Sequence, residues 1–216
     1  MRPVMMKRPE RKEIESMKRL MYGISAIALA LVAISTAQAQ ELSKADRDRA
    51  LQYLESTRKN IEDATRGLTD AQWNFKPSPF KWSVAQVMEH IAASEDLLRG
   101  LAQQVMKGPA PDQDLKANDA RVLTLVPDRA NKVEAPKPLR PTNRFDSPAA
   151  SLSHFLESRA KTIEFLKNTP DLRAHAIDSP IFGKLDAYQY ILVIAAHSER
   201  HTKQLNEVKA DPKFPK

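Results

Sequence analysis

Two histidines, His197 and His201, stand four residues apart in the stretch Leu185–Ala210. In an α-helix, residues four apart lie one above the other on the same face, so the two imidazoles converge on one point. The same face carries apolar residues at helical spacing, which places the histidines on a buried stripe. The residues of that stripe are Tyr190, Ile194, His197, His201, Leu205 and Val208. Because neutral imidazole is a common ligand of zinc, nickel, iron and copper, the pair predicts part of a metal site.

A third ligand is expected on another helix, and His90 is the candidate. Ser83-Val-Ala-Gln86 is a capping-box pattern that starts a helix, and His90 lies at the edge of its apolar stripe, between Val87 and Ile91. Three protein ligands leave a fourth coordination position for water or substrate. A metal with such a position lowers the pKa of bound water towards about 7. The alternative is that these are ordinary histidines, because an H-x-x-x-H pair also arises by chance on polar helix faces.

Two carboxylates on the same predicted helix could serve the site. Glu95 follows His90 by five residues, and Glu89 is its direct neighbour. Either side chain could orient a ligand imidazole or act as a general base, and Glu95 is the predicted catalytic residue. A solvated helix carboxylate is the alternative for both.

Other polar residues near the histidines are weaker candidates. His154 on the third helix and His175 in a connection have no partner that the sequence identifies. Glu199 and Arg200 lie between the paired histidines on the helix, so they are expected to point away from the metal and to form surface pairs.

The rest of the chain predicts four long helices joined by stiff connections. Fifteen prolines and five glycines fit helices better than a sheet with many tight turns, and no run alternates with period two over enough residues for a strand. The helices are predicted over Ser43–Gly67, from Ser83 to before Gly108, over Ser147–Asn168 and over Leu185–Ala210. A long crossover, residues 108–146, contains one short predicted helix, Asn118–Val126. The fold class is therefore all-α, a four-helix bundle, in which metal sites are built from facing helices.

The first 39 residues are predicted to be a leader. Met17-Lys-Arg precedes an apolar run, Leu20–Ser35, and Ala37-Gln-Ala39 offers small residues for cleavage before Gln40. This order is typical of a secretory signal peptide, so we expect a leader over 1–39, a bundle domain over 40–216 and an exported protein, periplasmic or secreted. A retained membrane anchor is the alternative, and translation is expected to start at Met17.

Charge and cysteine content exclude several classes of protein. The leader holds seven basic and three acidic residues and so supplies +4 of the net charge of +7. The rest has no basic block, which argues against nucleic acid as a partner. The chain has no cysteine, which excludes disulfides, thiolate zinc sites and a cysteine nucleophile.

Several motifs resemble one known family, the DinB-like (YfiT-type) metalloenzyme superfamily. The motifs are Trp82-Ser-Val-x-x-Val87-x-x-His90-x-x-x-x-Glu95, Gly183-x-Leu-Asp186 and His197-x-x-Arg200-His201-x-x-Gln204. The similarity spans roughly Leu42 to Val208. It implies an up-down-down-up four-helix bundle, frequent homodimerisation, and a divalent metal, zinc or nickel and sometimes iron, on His90, His197 and His201.

The resemblance also bears on the reaction. Characterised members of the family include transferases and isomerases that use bacillithiol or mycothiol, in which the metal activates a thiolate. Such thiols are cytosolic, and an exported enzyme would not meet them reliably. We therefore expect an exported metal-dependent hydrolase or transferase that activates water or a group of a small-molecule substrate, with no membrane span once the leader is cleaved. The alternative is a non-catalytic bundle that binds a metal or ligand.

Overall fold

The computed structural model describes residues 42–216. The predicted leader over 1–39, with its signal peptide and the start at Met17, lies outside the described residues. Within them the chain forms six α-helices, one short 3₁₀ turn and one β-hairpin. In chain order these are α1 Lys44–Thr65, α2 Asp70–Asn74, α3 Val84–Val105, α4 Ala117–Leu125, the 3₁₀ turn Lys137–Leu139, α5 Pro148–Asn168, β1 Ala176–Ser179, β2 Gly183–Asp186 and α6 Ala187–Lys209.

Side-chain caps set the starts of the four long helices. The Ser43 hydroxyl accepts a hydrogen bond from the Asp46 amide at 3.1 Å at the start of α1. Ser83 and Gln86 form a full capping box at the start of α3, and Ser147 caps α5, whose first residue is a proline. Each cap satisfies a backbone N–H that has no partner inside the helix. The starts predicted at these three serines are therefore confirmed.

Helices α1 and α6 run parallel to each other. At one end of the pair, the Tyr188 hydroxyl donates to the Asp46 carbonyl at 3.0 Å. At the other end, Lys209 Nζ donates to the Ala64 carbonyl at 2.7 Å. Both contacts join equivalent turns, counted from the start of each helix.

Helix α3 runs antiparallel to α6 and parallel to α5. His90, in the second turn of α3, meets His201, which lies in the second half of α6. Towards α5, Asp96 contacts His154 and Arg99 contacts Ser158, so residue numbers rise together along this pair. With α1 taken as up, the order is up, down, down, up, which is the topology that the family resemblance implies.

Two buried apolar clusters hold the four long helices together. One lies around the first half of α6 and the other around the first half of α3, and burial of their apolar surface is the main favourable free energy of the bundle. Central members of the first are Leu54, Tyr188, Ile191 and Leu192, and of the second Val87, Met88, Phe155 and Leu205.

The described residues are mostly helical, as predicted, and they also contain a short β-hairpin that the sequence did not predict. Strands β1 and β2 pair antiparallel, with Ala176 opposite Asp186 and Ser179 opposite Gly183. Each strand has only four residues, which is too short for an alternating pattern to stand out in the sequence. Gly183 has a φ of 81°, a backbone conformation that glycine adopts without strain. The hairpin leads directly into the capping box at the start of α6.

The crossover between α3 and α5 contains the predicted short helix, which the structure places at Ala117–Leu125. The second half of this crossover lies against α3 and α6, where it reaches the histidines. No helix among residues 42–216 is long and apolar enough to cross a membrane.

Candidate metal centre

The structure brings His90, His197 and His201 together between α3 and α6. The Nε2 atom of His90 lies 3.3 Å from that of His197 and 3.1 Å from that of His201. One ligand atom from each of the three residues can be chosen so that all lie within 4.8 Å of one another. His90 and His201 are buried and His197 is partly exposed, so the cluster is open to solvent at His197. The three residues predicted as metal ligands thus form one group.

The spacing of the nitrogen atoms fits a tetrahedral cation. Zinc binds histidine nitrogen at about 2.0–2.1 Å, and two ligands at the tetrahedral angle are then about 3.3–3.4 Å apart. The measured Nε2 separations of 3.3 and 3.1 Å are close to this value. Three nitrogen donors also match the softness of zinc or nickel better than that of calcium or magnesium.

Hydrogen bonds at Nδ1 of His90 and His201 leave the Nε2 atom of each ring free to bind a metal. His90 Nδ1 lies 2.8 Å from the Leu139 carbonyl oxygen, which can only accept, so this nitrogen carries the proton. His201 Nδ1 lies 2.8 Å from Gln204 Oε1 and donates in the same way. In each neutral ring Nε2 then has a free lone pair that faces the other rings.

Burial keeps the three imidazoles neutral. It lowers the pKa of His90, and the positive charge of Arg144 acts in the same direction, while the hydrogen bond to Leu139 partly opposes both. Burial and the neighbouring histidines lower the pKa of His197 and His201 well below the ordinary value of 6.5. Because a metal binds only the neutral ring, the site is ready for a cation at neutral pH.

Glu95, the predicted catalytic residue, lies in a buried ion pair. Its carboxylate oxygens accept from Nε and Nη2 of Arg159 at 2.7 and 2.8 Å. One of them also accepts from the Thr162 hydroxyl at 3.0 Å. The side chains of the pair are 1% and 0% exposed. These contacts give Glu95 a structural partner, and its catalytic role stays a prediction.

The hydrogen bonds of Glu89 go to the crossover rather than to a histidine. It is buried, and it accepts hydrogen bonds from the backbone amides of Thr142 and Asn143 at 2.7 and 3.0 Å and from Arg144 Nε at 3.0 Å. Burial alone would raise its pKa, but these donors outweigh burial and hold the pKa below the ordinary value. Glu89 is therefore an ionised anchor for the crossover, and the solvated carboxylate considered as its alternative does not fit.

Arg200 corrects the expectation of a surface pair. It is buried and donates to backbone carbonyls of the crossover, at 2.5 Å to Asn131 and 3.3 Å to Val126, with a further bond to Asp128. Glu199 pairs with Lys203 at 2.7 Å, which confirms the expected pair for this residue, and it also accepts from the Tyr53 hydroxyl at 2.6 Å. The arginine between the two histidines thus fastens the crossover beside the site.

The two remaining histidines lie elsewhere. His154 pairs with Asp96 at 2.5 Å, a partner that the sequence did not identify. His175 Nδ1 lies 2.7 Å from the Gly108 carbonyl oxygen. Neither belongs to the cluster of His90, His197 and His201.

Sequence reasoning did not identify the Leu139 carbonyl as the partner of His90, nor Arg159 and Arg144 as the partners of Glu95 and Glu89. Every residue carries a carbonyl, so no pattern marks the one that reaches His90. The prolines at 136, 138 and 141 around Leu139 are the available signal, because they stiffen this part of the crossover.

Comparisons with known proteins show the family and the fold of this chain. A model of the DinB superfamily matches residues 53–205. The YuaE protein of Bacillus subtilis (strain 168) is 31% identical over 147 residues, which cover 67% of this chain and 87% of YuaE. The solved structure of YfiT from Bacillus subtilis superimposes with a TM-score of 0.54 at 20% identity, covering 78% of this chain and 88% of YfiT. YfiT is described as a probable metal-dependent hydrolase with an unusual four-helix bundle topology, and at this identity the similarity shows a shared fold.

Proposed function

This chain belongs to the DinB superfamily, and from that premise we propose that it is a metal-dependent hydrolase with His90, His197 and His201 as the metal ligands. The observation that carries the proposal is the convergence of three imidazoles, with the Nε2 atoms of His197 and His201 at 3.3 and 3.1 Å from that of His90. Burying several imidazoles that face one another without a shared partner is costly, and a cation removes that cost. The description of YfiT as a probable metal-dependent hydrolase supports the same reaction class.

Several residues of this chain would have separate roles around the ion. Leu139 and Gln204 hold the protons of His90 and His201 on Nδ1, so that Nε2 is the donor. The Trp82 ring packs against the imidazole of His90 at 5.1 Å between ring centres and limits where that imidazole can lie. A divalent ion held by these three imidazoles, zinc or nickel and with iron as a further option, would supply a Lewis acid for water or substrate.

We propose hydrolysis rather than thiol-dependent transfer because of the leader. Its composition supports export to the periplasm or the medium, where cytosolic thiols are not supplied. Water is always available there as the second reactant. The proposal includes a transferase, because a small-molecule acceptor could bind the metal at the same coordination position as water.

The metal content of histidine variants tests the proposal. His90→Ala, His197→Ala and His201→Ala are each expected to reduce bound zinc or nickel from about one ion per chain to a small fraction, because two imidazoles hold a cation poorly. His154→Ala and His175→Ala are matched controls, since these histidines lie outside the cluster, and they should keep the metal. The measurement is elemental analysis of untagged protein purified without chelator. Unchanged metal content in the three variants would contradict the ligand assignment.

A cobalt-substituted protein separates an enzyme from a binding bundle. An exchangeable fourth ligand predicts that added azide changes the visible spectrum of bound cobalt. A spectrum that azide leaves unchanged would instead favour a non-catalytic metal-binding bundle. Metal-free protein with no thermal shift on addition of zinc or nickel would overturn both.

A further inference from the structure

The crossover contains a short segment that contacts two neighbouring residues of α3. We name this segment, residues 139–144, the strap. At its first residue, the Leu139 carbonyl accepts the proton of His90 Nδ1 at 2.8 Å. At its last three residues, backbone and side-chain N–H groups donate to the carboxylate of Glu89. The strap therefore joins Glu89 to His90 by a second path, besides their peptide bond.

The strap is shaped to hold a carboxylate. Thr142 and Asn143 donate backbone N–H groups to Glu89 at 2.7 and 3.0 Å, and the Arg144 amide follows at 3.4 Å. Three consecutive amides point to one anion in a turn in which one residue adopts the left-handed conformation. Asn143 supplies that turn with a φ of 60°, a value that asparagine tolerates better than most residues.

Contacts inside the strap transmit the position of Glu89 to Leu139. Arg144 donates through Nε to Glu89 at 3.0 Å and through Nη2 to the Arg140 carbonyl at 2.8 Å. Arg140 is the residue after Leu139, and the proline at 141 limits the backbone between them and the amides. Leu139 is itself buried, at 8% exposure. Because both ends are held, a shift at Glu89 moves the carbonyl that faces His90.

We propose that Glu89 is a positioning residue for the metal centre, which fixes the tautomer and orientation of the His90 imidazole through the strap. The proposal rests on the proposed metal site. It differs from a role in which Glu89 merely ties a loop to the bundle, because a loop tie would change the stability of the fold and leave the affinity for the metal unchanged. Partners that orient a ligand from behind change metal affinity by about 10- to 100-fold when they are lost.

The first test replaces the anchor. In Glu89→Gln the amide presents its own N–H groups to a ring of donors and loses the charge that holds them. We expect the zinc affinity, measured by competition with a chelator, to fall by about 10- to 100-fold. Asp119→Asn is the matched control: Asp119 is also buried and also accepts from an arginine, Arg173, but in another part of the bundle. It should lower the melting temperature and leave the zinc affinity unchanged.

The second test changes only the turn at Asn143, and it still tests the role of Glu89 and the strap if Glu89→Gln does not fold. Asn143→Val places a β-branched residue at a positive φ, whereas Asn143→Gly removes the same side chain and accepts that φ. We expect the valine variant to lose zinc affinity by the same factor as Glu89→Gln and the glycine variant to bind as the wild type does.

The tautomer of His90 is a readout that needs no metal. In metal-free wild-type protein, ¹⁵N NMR of the imidazole should show the proton on Nδ1, and Glu89→Gln or Asn143→Val should populate the Nε2–H form. The proposal is overturned if these variants keep both the Nδ1–H form and wild-type zinc affinity, or if affinity falls in Asp119→Asn as much as in Glu89→Gln. If the wild type binds no zinc, the proposed metal site fails, and the tautomer still decides whether the strap positions His90.

Discussion

The buried pair of Arg159 and Glu95 offers the sharpest prediction about stability. Arg159 has five N–H donors, and each has an acceptor within 3.0 Å. The acceptors are both carboxylate oxygens of Glu95, the Leu54 carbonyl, and the hydroxyls of Thr57 and Ser198. The guanidinium thus links α5 to α1, α3 and α6, at the centre of the bundle and with no contact to solvent.

The cost of removing one partner follows from this burial. In Glu95→Ala, the guanidinium keeps its charge in a fully buried position and loses the acceptors of two donors. In Arg159→Ala, the carboxylate is left buried with the Thr162 hydroxyl as its remaining partner. Breaking such a pair from one side costs about 3–5 kcal/mol, so each variant should lose a large part of the free energy of unfolding.

A double variant distinguishes the pair from its members. In Glu95→Leu with Arg159→Met, neither charge remains and the apolar side chains fill a similar volume. The double variant should therefore be more stable than either single alanine variant, by about 3–5 kcal/mol. Urea unfolding followed by circular dichroism measures all four proteins. Single variants within about 1 kcal/mol of the wild type, or a double variant no more stable than the single variants, would refute the argument from burial.

The same double variant tests the predicted catalytic role of Glu95. We expect it to keep the metal, because neither side chain bonds a histidine of the cluster. A folded, metal-loaded double variant that hydrolyses substrate normally would leave Glu95 as a structural residue. Loss of turnover in that protein would instead support Glu95 as the general base.

Two further predictions concern the β-hairpin and its junction with α6. Burial raises the pKa of Asp186 to about 6 from its ordinary 3.8 in spite of the nearby Arg173, so the folded state holds this proton more tightly than the unfolded chain. The contribution of Asp186 to the free energy of unfolding is therefore full below about pH 4 and is lost as the pH rises through about 6, by about 3 kcal/mol in total. Urea unfolding measures this dependence, and in Asp186→Asn the free energy of unfolding should vary less with pH over this range. Gly183→Ala should destabilise the fold by about 1 kcal/mol, because the φ at this position is 81°. Gly100→Ala, inside α3 with open space around it, should stabilise the fold by about 0.5–1 kcal/mol. Equal melting temperatures for the two variants would contradict this expectation.

Much of the architecture follows from local sequence. The serines at 43, 83 and 147 predict the starts of three helices because a cap needs only the side chain and the first turn that it bonds. The spacing of His197 and His201 predicts their convergence, since four residues make about one turn. His90 was identified from its position on the apolar stripe of a second helix, and the motifs that resemble the DinB family agree with that choice.

What the sequence did not determine concerns contacts between distant segments. The stripe of a helix shows which side is buried and not what it meets, so the partner of Glu95 could not be named before α5 was placed beside α3. Arg159 would be read as a surface residue by its type, and only the bundle supplies five acceptors around it. The four-residue strands depend in the same way on their tertiary surroundings.

In the candidate metal centre, too, some features follow from local sequence and others from contacts between distant segments. The sequence by itself predicts which three residues converge as candidate ligands, because imidazoles are few and helical spacing is regular. Only the tertiary structure decided how those imidazoles are oriented, since the acceptor behind His90 is a backbone carbonyl that 49 residues separate from it. A carbonyl has no side-chain signature, and its position depends on how Glu89 and the strap close the crossover over the bundle.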